Sequence, residues 1–487
     1  MKSQINTALL GILVLTACMP IATTTPAATT PVIPLTQTKT PQPVTSTPRP
    51  TTSQNLGPTL QVGNELPRTK ISRIETLTEL ANNRIGDLFP LDRNPIPCPE
   101  VSTDWPAAHV RRLGLKWVRL SLDYLELESV RNWDNYSQFE INQCQDEAIA
   151  YLAEQDITIL YTLVYWDENL HAKNYPDYKN EQDVQLFLDY TRLIVNHFRG
   201  RIQYYEILNE AYFYVNVEDY IELIRRVIPI IRMEDPEAKI VVGGTTNLMY
   251  DHSQEYLYRL IQSDIISLVD GIAMHPMYGA SPQYDDTRQY YEEYPTLIQD
   301  IKDTAWSNGF TGEFLAEEMV WRTPINPNIY EPWEYTFEVA AKYYARGIMM
   351  NLGLGLWAGI GGEKYDSIPP IVRVVQNLTT IMADAEPANL SVEIESGAEN
   401  ILSYSFSTPS GDRLFALWTN GPAIDEDPGI KATLLFENLS AESVMGIDVF
   451  EGLSQEIRTE TIEGNLVIQD LVVRDYPIIL KFIGATP

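Results

Sequence analysis

The sequence predicts a (β/α)8 TIM barrel followed by an antiparallel β-sandwich, and three observations carry that prediction. Between about residues 80 and 385, short apolar runs alternate eight times with amphipathic stretches, the pattern of βα units around a parallel sheet. After about residue 386 helical periodicity stops, and short segments alternate polar and apolar residues between Gly, Asp, Asn and Pro. No Gly-rich phosphate loop follows the first strand, which argues against a doubly wound open sheet.

The chain opens with Met1 and Lys2, an apolar run from Ala8 to Leu15, and then Thr16, Ala17 and Cys18. A charged start, a short apolar run and small residues before a cut describe an export signal at 1–17, too short to span a bilayer as a mature helix. The Leu-Thr-Ala-Cys ending resembles the bacterial lipobox. That resemblance implies a lipid on Cys18, export, and anchoring on the outer face of the cell membrane. Contact with the membrane is expected through this anchor alone. Residues 18–67 follow as a disordered linker: 19–60 hold 13 Thr and 9 Pro and no aromatic residue. Such a stretch cannot bury enough surface to fold, and its prolines favour extended chain of about 3.1 Å per residue.

The barrel is assigned to 68–385, with strands at 84–89, 117–122, 157–165, 202–208, 239–243, 271–275, 314–318 and 355–358. Helical stretches include 146–154, 184–198, 217–232 and 336–350. The acidic run of Asp285, Asp286, Glu292 and Glu293 is read as a solvated loop. The sandwich is assigned to 386–487, with strands near 401–407, 413–419, 432–436, 444–450, 465–471 and 477–482. Cys98 and Cys144 permit one disulfide in an exported protein, and two buried thiols fit equally. No cluster at ligand spacing implies a metal, and no cofactor is expected.

Composition narrows the partners. Lys and Arg total 35 against 66 Asp and Glu, a formal charge of −31. With no basic run to offset it, the surface repels phosphate backbones, which excludes nucleic acid as a partner. The 9 Trp and 28 Tyr suit neutral, amphipathic ligands such as sugars.

Active sites of this fold lie at the C-terminal ends of the strands. The fourth strand ends Tyr204-Tyr205-Glu206-Ile207-Leu208-Asn209-Glu210, and alternation sets Tyr204, Glu206, Leu208 and Glu210 on one face. The seventh ends Ala316-Glu317-Glu318-Met319-Val320-Trp321. Strands four and seven face each other across a barrel, so two carboxylates converge, as glycoside cleavage requires. Glu206 needs a buried partner, and Arg119 on strand two supplies one. Trp166, Trp321 and Trp333 are read as core or rim packing before sugar platforms.

These strand ends resemble the clan A glycoside hydrolases, which include cellulases, mannanases and β-xylosidases. The likeness rests on Asn209-Glu210, Glu318, Arg119, His275-Pro276-Met277-Tyr278 and Trp357, and covers about residues 80–385. It implies a carbohydrate substrate, Glu210 as acid/base and Glu318 as nucleophile. Asn209 would then bind the sugar 2-hydroxyl, Arg119 and Tyr278 would orient Glu318, and Trp357 would floor the subsite. His275 and Trp166 are further candidates for the substrate site. Glu317 stands where many relatives have Thr; opposite strand faces then make it a solvated or ion-paired outer residue. A barrel that binds carbohydrate without cleaving it is the alternative, and the intact glutamate pair argues against it.

Overall fold

The structure is a computed structural model, and it describes residues 59–63, 66–73, 84–89, 105–121, 141, 143–164, 178–246, 248–325, 333–361 and 365–486. Cys18, Cys98 and Trp166 lie outside the described residues, as does the side chain of Cys144. Eight parallel strands form the barrel: β1 (Ile85–Phe89), β2 (Trp117–Ser121), β3 (Thr158–Leu163), β4 (Tyr204–Ile207), β5 (Lys239–Thr246), β6 (Gly271–His275), β7 (Glu313–Val320) and β8 (Trp357–Ile360). They pair in sequence order, and β8 closes the ring by pairing with both β7 and β1.

The helices are α1 (Trp105–Leu113), α2 (Gln143–Glu154), α3 (Glu181–His197), α4 (Val217–Glu234), α5 (Asp251–Ile261), α6 (Asp285–Ser307), α7 (Phe337–Gly353) and α8 (Pro369–Ile381). Helix α4 shows why they form where they do. Asn216 caps it by accepting from the Asp219 amide, Glu218 and Asp219 favour its first turn, and Tyr220, Leu223, Ile224, Val227 and Ile231 bury one face. Among the described residues, no helix is long and apolar enough to cross a membrane.

The acidic run at 285–293 begins α6 and is not a loop. Its carboxylates occupy the solvent face, while Tyr291, Tyr294, Ile298 and Ile301 bury the other at three- and four-residue spacing.

A β-sandwich follows the barrel. One sheet contains β9 (Glu386–Ala388), β11 (Ile401–Ser407), β12 (Arg413–Thr419), β18 (Ile478–Ile483), β14 (Ser443–Asp448) and β15 (Leu453–Ile457). The other contains β10 (Val392–Ser396), β13 (Ile430–Phe436), β17 (Asn465–Val473) and β16 (Glu460–Ile462). Phe415 and Phe482 from the first sheet meet Phe436 of the second, with ring centroids 5.1 and 4.7 Å apart. Residues 59–63 and 66–73, which the sequence divides between linker and barrel, lie on this sandwich. Thr69–Lys70 adds an edge strand to β15, Gln61 bridges to Leu471, and Leu60 is buried.

Helices α7 and α8 join barrel and sandwich, α7 through charged groups with almost no exposed surface. Lys342 pairs with Asp475 at 2.9 Å, and Arg346 donates to the carbonyls of Asp475 and Gly421 at 2.8 and 2.7 Å. Asn377 and Arg373 donate to the carbonyls of Val449 and Phe450. Removing one partner of a buried pair strands the other charge. Asp475→Ala should therefore cost about 3–5 kcal/mol in denaturant unfolding. A loss below about 1 kcal/mol, the surface-pair scale, would refute a buried ionic joint.

Candidate active site

The barrel interior is layered, and the layers place the site. Trp117, Leu160, Tyr204, Val241, Ala273 and Leu315 fill the lower layer, with Trp357 packed against them. Two residues further along the strands stand Arg119, Thr162, Glu206, His275 and Glu317, all buried. A period of two carries five of the six lower side chains to a polar one above them on the same face, Val241 leading to Gly243 instead. Polar chemistry thus begins one layer up, towards the strands' C-terminal ends.

Trp357 belongs to the lower layer and does not floor a subsite. It is the first residue of β8, paired with Leu315, and its ring lies 5.5 Å from Trp117 and 5.2 Å from Tyr204. The strand runs three residues beyond it, so its mouth end carries Gly359 and Ile360 instead. Trp321 and Trp333 are packing residues, both buried; the Trp321 indole donates to the Ala280 carbonyl at 2.9 Å.

Glu206 is the anchor of the upper layer. Its Oε2 accepts from Arg119 Nε and Nη2 at 2.9 and 2.7 Å and from Thr162 at 2.7 Å. Arg119 Nη2 also donates to Asn209 Oδ1 at 2.8 Å. Burial opposes the guanidinium charge, but Glu206, Glu317 and Glu318 together drive its pKa upward.

Strand β4 ends at Ile207, and alternation lapses there. Leu208 and Glu210 adopt left-handed backbone, φ +62° and +48°. Side-chain-bearing residues held there cost of order 1–3 kcal/mol each, and surrounding bonds must impose them. The Glu210 amide donates to the Gly244 carbonyl at 3.2 Å, and Tyr214 donates to the Asn209 carbonyl at 2.7 Å. On β5, Gly243 and Gly244 (φ +114° and +51°) break the register with β6. A Cβ on Gly244 would sit 2.5 Å from Glu206 Oε1, so only glycine leaves room for that carboxyl.

Glu317 is not an outer residue. It follows Leu315 on the inward face, has no exposed surface, and approaches Arg119 Nε at 3.4 Å. Glu318 nevertheless reaches the same guanidinium, with Oε2 3.7 Å from Nη1. Strict alternation forbids this. The ladder between β7 and β8 slips by one residue after Ala358, so that Ile360 pairs with Met319. A bulge of this kind re-aims side chains and lets adjacent glutamates converge. Gly359 permits it, because a Cβ there would lie 2.0 Å from the Glu317 carbonyl.

His275 joins the glutamates. Its Nδ1 lies 2.9 Å from Glu210 Oε1 and 3.6 Å from Glu318 Oε2, and its Nε2 lies 3.0 Å from Glu317 Oε1. Burial disfavours the imidazolium, yet Glu318, Glu210 and Glu317 outweigh it and push the pKa up to about 10. Tyr278, on a two-residue strand Met277–Tyr278 beside β7, donates to Glu318; burial and that carboxylate hold its phenol protonated.

The structure thus brings together Arg119, Asn209, Glu210, His275, Tyr278 and Glu318, and separates Trp357 from them. Glu206, Glu317 and His275 have no exposed surface, whereas the side chains of Glu210 and Glu318 are 22% and 14% exposed. Two carboxyl groups therefore open towards the barrel mouth, and two stand behind them.

No protein-family model and no curated protein matches this chain. Solved structures resemble it in fold. A family 39 glycoside hydrolase from the gut symbiont Bacteroides cellulosilyticus superposes with TM-score 0.60 at 14% identity, over 84% of this chain and 82% of that one. A bifunctional glucanase-xylanase from a metagenome library gives 0.53 at 11% identity, over 85% and 97%. A family 51 arabinofuranosidase from Xanthomonas axonopodis gives 0.51 at 10% identity, over 85% and 98%. Likeness at these identities establishes the barrel and sandwich, and the chemistry has to be argued from the site.

Proposed function

We propose that this protein is a retaining glycoside hydrolase acting on a β-linked, plant-type oligo- or polysaccharide. One observation carries the reading: the two carboxylates that open towards the barrel mouth, Glu210 and Glu318, contact the same imidazole nitrogen. Their facing oxygens are therefore separated by at most the sum of 2.9 and 3.6 Å. Inversion needs roughly 6.5–9.5 Å between carboxyl groups to seat a water, and retention about 5–5.5 Å. The bound meets the lower edge of the inverting range and spans the retaining one, and on that ground the reading takes direct attack by one carboxylate.

In the first step a Glu318 oxygen attacks the anomeric carbon while the glycosidic bond breaks, and Glu210 gives its proton to the departing oxygen. An ester links sugar and Glu318. Water then attacks the same carbon, its proton passes to Glu210, and the ester bond breaks. Arg119 and Tyr278 offset charge on Glu318. Asn209, its carbonyl oxygen engaged by Arg119, turns its amide N–H groups to a sugar hydroxyl. The leader pattern supports an exported enzyme anchored by lipid at Cys18.

A screen of aryl glycosides and plant polysaccharides, with the anomeric product followed by proton NMR, tests this. Product of retained configuration is expected. Product of inverted configuration, or inertness towards every glycoside, would overturn the reading.

A further inference from the structure

Glu317 has no part in the two-carboxylate chemistry above, yet it is fully buried within reach of it. Glu206 Oε1 makes no hydrogen bond, and Glu317 Oε2 makes none beyond its 3.4 Å ion-pair contact with Arg119 Nε. Oxygens of the two carboxyl groups lie within 4.8 Å of each other beside the space that Gly244 leaves open, and two buried carboxyl groups this close settle around one proton. Burial, with Glu317 beside it, raises the Glu206 pKa against the pull of Arg119; burial also opposes charge on Glu317, but Arg119 and His275 hold it ionised. The proton therefore sits on Glu206, and the Glu317 carboxylate faces His275.

We propose that Glu317 is a positioning residue that keeps His275 protonated and turned, so that its Nδ1–H supports the Glu210 carboxylate left after proton donation. The contacts form a line: Glu206 to Glu317, Glu317 Oε1 to His275 Nε2 at 3.0 Å, His275 Nδ1 to Glu210 Oε1 at 2.9 Å. An imidazole with a carboxylate on its rear nitrogen has a fixed tautomer and favours the cation. The groups facing His275 are Arg119 from β2, Glu206 and Glu210 from β4 and its end, Tyr278, and Glu317 and Glu318 from β7. Tyr220 of α4 faces the carboxyl pair from behind. Glu206, His275 and Glu317 have donor atoms within 4.8 Å, a spacing that also suits a cation. Arg119 already supplies the positive charge there, 2.7 Å from Glu206.

This rests on Glu210 and Glu318 being the reacting pair, and Glu317→Gln tests it. Glutamine keeps an oxygen for the His275 N–H and offers an N–H to Glu206 Oε1, so it removes charge without removing hydrogen bonds. With a phenyl glycoside, which needs a strong acid, kcat/KM should fall at least about tenfold. With a dinitrophenyl glycoside, which needs little protonation, it should fall far less. His275 loses its proton at lower pH once the carboxylate is gone, so its imidazole titration, followed by nitrogen NMR, should move about one pH unit or more towards acid. Equal losses on both substrates with an unmoved His275 titration would make Glu317 merely structural and overturn the proposal. Imidazole nitrogen NMR of the unaltered protein decides it without any activity. His275, assigned by its loss in His275→Asn, should carry both protons at about pH 8, and a neutral ring there would overturn the proposal. A protein inert on all glycosides but with a protonated His275 would sink the hydrolase reading alone.

Discussion

Replacing Glu318 with Ala should abolish turnover by several orders of magnitude and leave the fold intact. The residue contributes no core packing; its side chain is partly open at the barrel mouth, and its contacts are polar ones to Arg119, His275 and Tyr278. The truncation also leaves a cavity beside the anomeric carbon that a small anion can enter. Azide should restore turnover and yield a glycosyl azide of inverted configuration, because attack then comes once, from the nucleophile's side. Glu210→Ala should behave differently, sparing the first step for substrates with good leaving groups. If Glu318→Ala retains activity while Glu317→Ala is inactive, the nucleophile is Glu317 and the roles given to the two residues are exchanged.

Arg119→Leu should be strongly destabilising. The guanidinium is buried against Glu206, Glu317 and Glu318, so its loss leaves those carboxyl groups facing one another with one cation fewer. Breaking a buried pair in this way costs about 3–5 kcal/mol. The sign of the pH dependence follows. Without Arg119 the carboxyl groups hold their protons to higher pH in the folded state than when unfolded, so they favour folding at low pH and lose that advantage as pH rises. The stability gap between Arg119→Leu and the parent should therefore be narrower at about pH 5 than at about pH 8. A gap that widens towards acid would show that the carboxylates are not what Arg119 holds.

Much of the barrel is legible from periodicity alone. Each of the eight expected strands overlaps an observed one, because a buried parallel strand must be an apolar run and its neighbours must be amphipathic. The acidic run at 285–293 misleads, since a helix's solvent face and a loop share a composition; Tyr291, Tyr294 and Ile298 carried the helical signal. Residues 59–63 and 66–73 carry no local sign of their place, because Thr69 finds its strand partner at Ser454, far along the chain.

The residue types at the mouth, Arg119, Asn209, Glu210, His275 and Glu318, stand in the sequence at the ends of identifiable strands, and that order is enough to suggest two-carboxylate chemistry. Which way each points is another matter. The period of two is local, but its phase depends on which residue the barrel buries, and Leu315 in the lower layer fixes Glu317 as inward. A slip in the ladder opposite Gly359 then brings Glu318 to the same guanidinium. Trp357 shows the same limit: three residues of strand beyond it put its ring in the lower layer. Sequence determined the elements and the chemistry available to them. Tertiary pairing decided the register, because hydrogen bonds between strands distant in sequence set where each strand starts, slips and ends.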